Sequence, residues 1–347
     1  MPPTKTAMNK YICFVAGHSG GHITPCATQA KNELESNPNL KIIFFTTSSK
    51  LDKKILENYS FIDKKIYLNL KNLPRKIYLY PTYFIKMGYS FFQILFYLNK
   101  FRPVKIVSMG GIVSIPVCIA GKILGIPIEI YELNIEPGKA VNLIVKIAST
   151  VNICFKETAN YFPSRKCNLV GYPIRFNDSN KLSQPMALQK INFFKDRKTL
   201  LIVGGSQGSV FINNLIKNFI ESNEKIHNNL QVIHQTGTID KTKWQDYYAK
   251  YQIPAIIFDY TNKIENFYCA ADLIICRSGA GTLAEILFFN KKCITIPLET
   301  KITAHQVKNA QNLAQNYPNL FYMEKQIKIE NDKNAFFNVI TRKLYEF

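Results

Sequence analysis

A chain of 347 residues, 47% hydrophobic and 20% charged, carries enough apolar material for two packed domains and excludes the disordered and low-complexity classes. Its 44 Lys and Arg against 24 Asp and Glu leave a formal charge of +20, which admits nucleic acid, an anionic membrane surface or a Lys-rich genomic bias as the cause. Eight cysteines are scattered without a CxxC pair or zinc-finger spacing, which excludes a stapled scaffold and leads to the expectation of a reduced, cytosolic protein.

The first ten residues, MPPTKTAMNK, are charged, and the apolar run after them is too short for a signal peptide. No stretch approaches the roughly 20 apolar residues that span a bilayer. Residues 11–30 (YICFVAGHSGGHITPCATQA) spell an apolar strand, a glycine-rich turn and a helix with Pro25 expected in its first turn. Glycine allows close backbone approach, and the helix that follows offers unpaired N–H groups and a positive dipole end, so such a turn suits a phosphate. Strands are predicted next at 41–46, 104–109, 126–131, 151–155 and 168–170, with helix-length segments between them.

Residues 63–105 depart from this rhythm. Tyr and Phe residues alternate there with Lys and Arg, while Asp63 is the only acid. Two readings stand side by side: aromatic bodies and cations at the interface of an anionic bilayer, or core rings with a solvated lysine rim. Stacking on single-stranded nucleic acid ranks below both, because no nucleic-acid module accompanies the basic residues.

A polar, proline-bearing stretch at 171–192 reads as a linker, and the opening pattern then returns at 199–215 (TLLIVGGSQGSVFINNL). Strands are predicted at 199–203, 230–235, 255–258, 273–276 and 293–296. Short β-branched runs separated by helices describe a doubly wound, mostly parallel α/β sheet, written twice. Neither glycine turn carries the Lys of a GxxxxGK[ST] loop or a clean GxGxxG, and one alone would read as a tight connection. Two copies half a chain apart suggest two halves facing one phosphate-bearing ligand across a cleft. At the carboxyl end Phe337, Ile340, Leu344 and Phe347 fall at helical spacing.

Further motifs are SMGGIVSIPVCIAG (108–121), IPIEIYELNIEPGKAVN (126–142), NLVGYPIR (168–175), ADLIICRSGAGTLAEILFFNKKCITIPLE (271–299) and AHQVKNAQ (304–311). Through them the chain resembles the family 28 glycosyltransferases of peptidoglycan synthesis, which have the GT-B fold. The likeness is colinear from about residue 11 to 311, and GGSQGS, SGAGTLAE and HQVKNA are its most specific pieces. It implies an α/β, GT-B architecture of two Rossmann-like doubly wound domains facing across a cleft. The expected divisions are an acceptor and membrane-associated domain at 1–172, a UDP-GlcNAc domain at 173–328, and a helix at 329–347 returning to the first domain.

The implied reaction is inverting transfer of GlcNAc from UDP-GlcNAc to the C4 hydroxyl of MurNAc in lipid I, giving lipid II. No cofactor is implied, and no DxD pair sits on a βα turn to hold a metal. The implied partners are UDP-GlcNAc, lipid I and an anionic membrane surface, with no nucleic acid. The implied location is peripheral, on the cytoplasmic face of the bacterial inner membrane.

The resemblance also assigns residues. Glu285 would accept hydrogen bonds from the ribose hydroxyls, since a carboxylate suits a vicinal diol. Ser206 and Gln207 would hold the diphosphate, Thr261 marks the backbone that reads uracil, and Ala280, His305 and Gln306 would touch the sugar. Arg175, at the hinge, would neutralise phosphate. Ser19, Gly20, Gly21 and His22 would face the acceptor diphosphate, and Asn134 would orient donor sugar or acceptor. His22 is the expected general base, because an imidazole titrates near neutral pH, with Glu132 as the alternative. The chain departs from the family pattern at His18, Tyr131, Leu133, Tyr172 and Ala304, which bears on fine sugar and acceptor contacts.

Overall fold

The computed structural model describes residues 10–17, 20–70, 76, 78, 80–205, 208–237, 241–259, 261, 263–300 and 303–345. The chain forms two compact units, one ending at Arg175 and the other beginning at Phe176, a break inside the polar stretch 171–192.

In the first unit β1 (Lys10–Val15), α1 (Gly20–Ser36), β2 (Leu40–Thr47), α2 (Lys50–Glu57) and β3 (Lys64–Leu68) are followed by α3 (Tyr80–Phe101) and β4 (Ile106–Ser108). Then come α4 (Ser114–Ile123), β5 (Ile128–Glu132), α5 (Lys139–Ile144), β6 (Thr150–Ile153) and β7 (Cys167–Leu169). The strands form one parallel sheet in the order β3-β2-β1-β4-β5-β6-β7, with Val15 opposite Phe45 on one side and Ser108 on the other.

Strand periodicity sends alternate side chains to two cores. Ile12 and Phe14 meet Ile23, Cys26 and Ala27 of α1 and Leu56 of α2. Cys13 and Val15 meet Ile94 and Leu98 of α3, Val117 of α4 and Val141 of α5.

The second unit repeats the plan. Its elements are α6 (Gln184–Lys190), β8 (Lys198–Val203), α7 (Val210–Glu221), β9 (Leu230–Gln235), α8 (Lys241–Lys250), β10 (Ala255–Phe258) and α9 (Ile264–Ala270). They continue through β11 (Leu273–Cys276), α10 (Ala280–Phe288), β12 (Cys293–Thr295), α11 (Ala304–Asn316), β13 (Phe321–Met323), α12 (Gln326–Asn331) and α13 (Lys333–Tyr345). The parallel order is β10-β9-β8-β11-β12-β13, so β8 and β11 lie side by side as β1 and β4 do.

Three expectations are corrected. Phe336, Phe337, Ile340 and Leu344 of α13 are buried in the second unit's own core with Leu200, Ile202 and Phe219, so this helix covers the second sheet where a return to the first domain was expected. Phe219 and Phe337 meet edge-on at 5.6 Å. Pro25 is the sixth residue of α1, a turn deeper than expected; lacking an N–H, it cannot bond to the carbonyl of Gly21 four residues earlier. Strands β3 and β13 were not anticipated, and both are sheet edges.

Helix α3 has two faces. Ser90, Ile94 and Leu98, four apart, point into the core. Phe84, Ile85, Tyr89, Phe92 and Phe96 are 51–73% exposed, beside the exposed Lys86 and Lys100. Among the described residues no helix is long and apolar enough to cross a membrane.

Candidate functional site

Each unit has a topological switch point, where neighbouring strands send their chains to opposite sides of the sheet and leave a crevice at their carboxyl ends. In the first unit the crevice lies between β1 and β4. The loop after β4 passes so close to the loop after β1 that a Cβ on Gly111, which has φ +83°, would lie 2.7 Å from the carbonyl oxygen of Gly17. Gly20, Gly21 and His22 open α1 at this crevice, with Gly21 exposed and the other two partly buried. His18 and Ser19 lie outside the described residues.

Glu132 ends β5 on the same sheet and is 3% exposed. Its Oε1 accepts from the backbone N of Asn134 at 2.9 Å and from the Asn134 amide at 3.2 Å, and its Oε2 accepts from the N of Gly138 at 3.1 Å. Burial pushes its carboxyl up to about 7, against the pull of these donors toward the charged form. Glu132 thus organises the loop that presents Asn134, whose carbonyl in turn accepts from the Thr158 hydroxyl at 3.0 Å.

Three departures from the family pattern have a common physical reason. Tyr131 and Leu133 are buried in the apolar cluster of Ile12, Phe14 and Ile23, and Tyr172 packs against the same cluster. They fill core. Ala304, the first residue of α11, is exposed. Arg175 closes the first unit and is partly buried.

In the second unit the crevice lies between β8 and β11. A Cβ on Gly208, at φ +76°, would meet the carbonyl oxygen of Thr236 at 2.5 Å, so only glycine fits this turn. Ser209 caps α7, accepting from the N of Ile212 at 3.4 Å. Ser206 and Gln207 lie outside the described residues.

Arg277, at the carboxyl end of β11, was not singled out from the sequence. Its Nε donates to Ser209 Oγ at 3.1 Å, Nη1 donates to the carbonyls of Ile296 and Pro297 at 3.3 Å each, and Nη2 donates to Gln326 Oε1 at 3.2 Å. One guanidinium therefore ties the α7 cap to the end of β12 and to α12. The RSG motif was legible, but all four of these partners lie at least 19 residues away in sequence.

Glu285 lies on α10, half-buried, and its Oε2 accepts the hydroxyl of Tyr268 at 2.9 Å. Ala280 is the first residue of that helix. Thr261 turns its hydroxyl to its own loop, accepting from the N of Lys263 at 3.1 Å. His305 and Gln306 begin α11, and Gln306 Oε1 accepts from the N of Leu298 at 3.1 Å, which fixes the approach to that helix. Glu285, Ala280 and Arg277 are thus brought to one switch point, while His305 and Gln306 follow β12, the next strand.

A buried polar chain braces the Gly208 turn. Asn213 of α7 donates from Nδ2 to the carbonyl of Thr236 at 3.1 Å, which leaves its Oδ1 facing His234 Nε2 at 3.2 Å. His234 Nε2 therefore carries the proton, and Nδ1 accepts from the Tyr248 hydroxyl at 2.9 Å. Burial pulls His234 down to about 3, so the ring is neutral.

Two Rossmann-like units in one chain, each with a glycine turn at its switch point, define the GT-B class of glycosyltransferase. Residues 12–153 match the glycosyltransferase family 28 N-terminal domain and residues 199–341 the family 28 C-terminal domain. The chain belongs to glycosyltransferase family 28.

Among its relatives, the UDP-N-acetylglucosamine--N-acetylmuramyl-(pentapeptide) pyrophosphoryl-undecaprenol N-acetylglucosamine transferase of Thermosipho africanus is 32% identical over 95% of this chain and 92% of its own. The enzyme of the same name from Thermoanaerobacter sp. is 31% identical over 92% of this chain and 88% of its own. The crystal structure of Acinetobacter baumannii MurG superposes with a TM-score of 0.70 at 21% identity, covering 96% of this chain and 91% of that one. A UDP-N-acetylglucosamine 2-epimerase shares the fold at a TM-score of 0.61 and 11% identity, covering 97% and 88%.

Proposed function

We propose that this chain moves GlcNAc from UDP-GlcNAc to the C4 hydroxyl of MurNAc in lipid I, with inversion at the anomeric carbon. The observation that carries the reading is that relatives named for this transfer align with up to 98% of the chain.

The donor chemistry belongs to the second unit. Glu285 accepts from the ribose hydroxyls, Ser206, Gln207 and the α7 amino end hold the diphosphate, and the backbone at Thr261 reads uracil. Ala280, His305 and Gln306 contact the sugar. In the first unit Gly20, Gly21 and Ser19 receive the acceptor diphosphate, and Asn134 orients the reacting sugars.

His22 takes the proton of the C4 hydroxyl as its oxygen bonds to the anomeric carbon. The bond from that carbon to UDP breaks, and its electron pair leaves with the diphosphate, stabilised by Arg175 and the helix amino end. Glu132, buried under loop N–H donors, serves as the anchor of Asn134 and leaves the base role to His22. The outward face of α3, with Phe84, Ile85, Tyr89, Phe92 and Phe96 beside Lys86 and Lys100, rests on the anionic cytoplasmic surface of the membrane.

The test is transfer from radiolabelled UDP-GlcNAc to a lipid I analogue, run beside UDP-GalNAc and beside diacylglycerol as acceptor. Lipid II formation from UDP-GlcNAc supports the reading. Transfer to diacylglycerol alone, or epimerisation without transfer, overturns it.

A further inference from the structure

The second sheet has another lined hollow, at the edge where its strands begin, opposite Gly204, Gly205, Gly208 and the 277–280 loop. Lys198 starts β8, Asp272 precedes β11, Lys292 precedes β12 and Lys343 lies on α13, and all four line a cavity of about 230 Å³.

Among the described residues, cations outnumber carboxylates around it. Asp272 is the only described carboxylate lining it, and that group is engaged: Oδ2 accepts from the N of Thr199 at 2.8 Å, and Lys198 Nζ lies 3.4 Å from Oδ1. Lys291 also lines the cavity but spends its ammonium on the carbonyls of Cys269 at 2.8 Å and Ala271 at 3.0 Å. Lys292 and Lys343 bring two further cations. Burial, and after it the charges of Arg342 and Lys292, holds Lys343 below the ordinary lysine range, and its Nζ lies 5.0 Å from the centre of the Tyr322 ring.

We propose that this cavity is a phosphate site, in which Lys292 and Lys343 grip a phosphate or pyrophosphate group, free or borne on a lipid head. Two ammoniums on different elements suit a multiply charged oxyanion, which offers an acceptor oxygen to each. The site is separate from the loops assigned to the nucleotide, so it stands or falls independently of the proposed reaction.

Titration calorimetry of the full chain with pyrophosphate, at constant ionic strength and saturating UDP, reads it directly. The Lys292→Gln, Lys343→Met double variant, which keeps both aliphatic stems, is expected to bind pyrophosphate at least tenfold more weakly than the parent. A control Lys195→Gln variant, which removes an exposed lysine elsewhere, is expected to match the parent.

A lipid source is tested with phosphatidic acid vesicles in a Phe92→Ser, Phe96→Ser background, which removes the α3 contribution. A loss in the double variant confined to these vesicles assigns the phosphate to a lipid head. Unchanged binding of both pyrophosphate and vesicles overturns the proposal, as does equal loss in the Lys195→Gln control.

Discussion

The hydroxyl of Tyr268 donates to Glu285 Oε2 at 2.9 Å, and the tyrosine that makes this bond is 1% exposed. Its ring stacks on Phe289 at 5.3 Å and meets Phe176 edge-on at 6.5 Å, so the hydroxyl has little freedom. A carboxylate fixed in orientation by a buried donor presents its oxygens in a fixed direction.

Tyr268→Phe removes the donor and leaves the ring. A hydrogen bond to a charged group contributes roughly 1.5–3 kcal/mol. The expected outcome is a rise of about tenfold in KM for UDP-GlcNAc with kcat within about threefold. A purely structural role would lower the melting temperature without changing the preference for UDP over 2′-deoxy-UDP; the positioning role predicts that this preference weakens.

His22 and Glu132 are separated by their kinetics. His22→Ala is expected to lower kcat by about 100-fold or more, the usual scale for losing a general base. Turnover within about threefold of the parent would remove it from that role. Glu132→Gln is expected to act through the Asn134 loop, raising KM and lowering kcat less than His22→Ala does.

Glu132 also predicts a pH signature. Its folded value of about 7 lies above the ordinary 4.5, so the folded protein holds this proton more tightly. The stability this gives is complete below pH 4.5 and is lost as pH rises through 7, about 3 kcal/mol in all. Urea unfolding from pH 4 to 8 should show that slope in the parent, and Glu132→Gln, which cannot titrate, should lack it.

His234 runs the other way. Its folded value near 3 is below the free imidazole value, so the unfolded chain binds the proton more readily. Stability from the neutral ring is complete above pH 6.5 and falls as pH drops toward 3, by roughly 4–5 kcal/mol. His234→Gln, which keeps a donor and an acceptor but cannot charge, is expected to unfold at a pH at least half a unit lower in an acid titration followed by circular dichroism.

The outer face of α3 is tested by flotation with phosphatidylglycerol vesicles at low salt. Replacing Ile85, Tyr89 and Phe92 by Ser is expected to reduce binding at least tenfold while leaving the urea midpoint nearly unchanged, because these side chains are 72–73% exposed. Undiminished flotation would remove α3 as the membrane contact.

The central strands were readable because parallel strands buried on both faces are continuous apolar runs, as ICFV in β1 and LLIV in β8 show. The missed strands lack that mark. β3 reads KKIYL, with only Ile66 and Leu68 buried, since an edge leaves its lysines in solvent; β13 spans three residues. The α13 stripe was legible at Phe337, Ile340 and Leu344, but spacing does not say which sheet a stripe covers. The glycine turns and Glu285 stood out as motifs. Tyr268 did not, because its partner is 17 residues away and nothing in FYCA marks the hydroxyl.

The Arg277 clasp has a consequence for inheritance. Four acceptors from three segments converge on one side chain, so a lysine there, with a single nitrogen on a flexible stem, could satisfy only some of them. Drift at this position is thereby narrowed to a single chemistry, while neighbouring surface positions remain open to exchange.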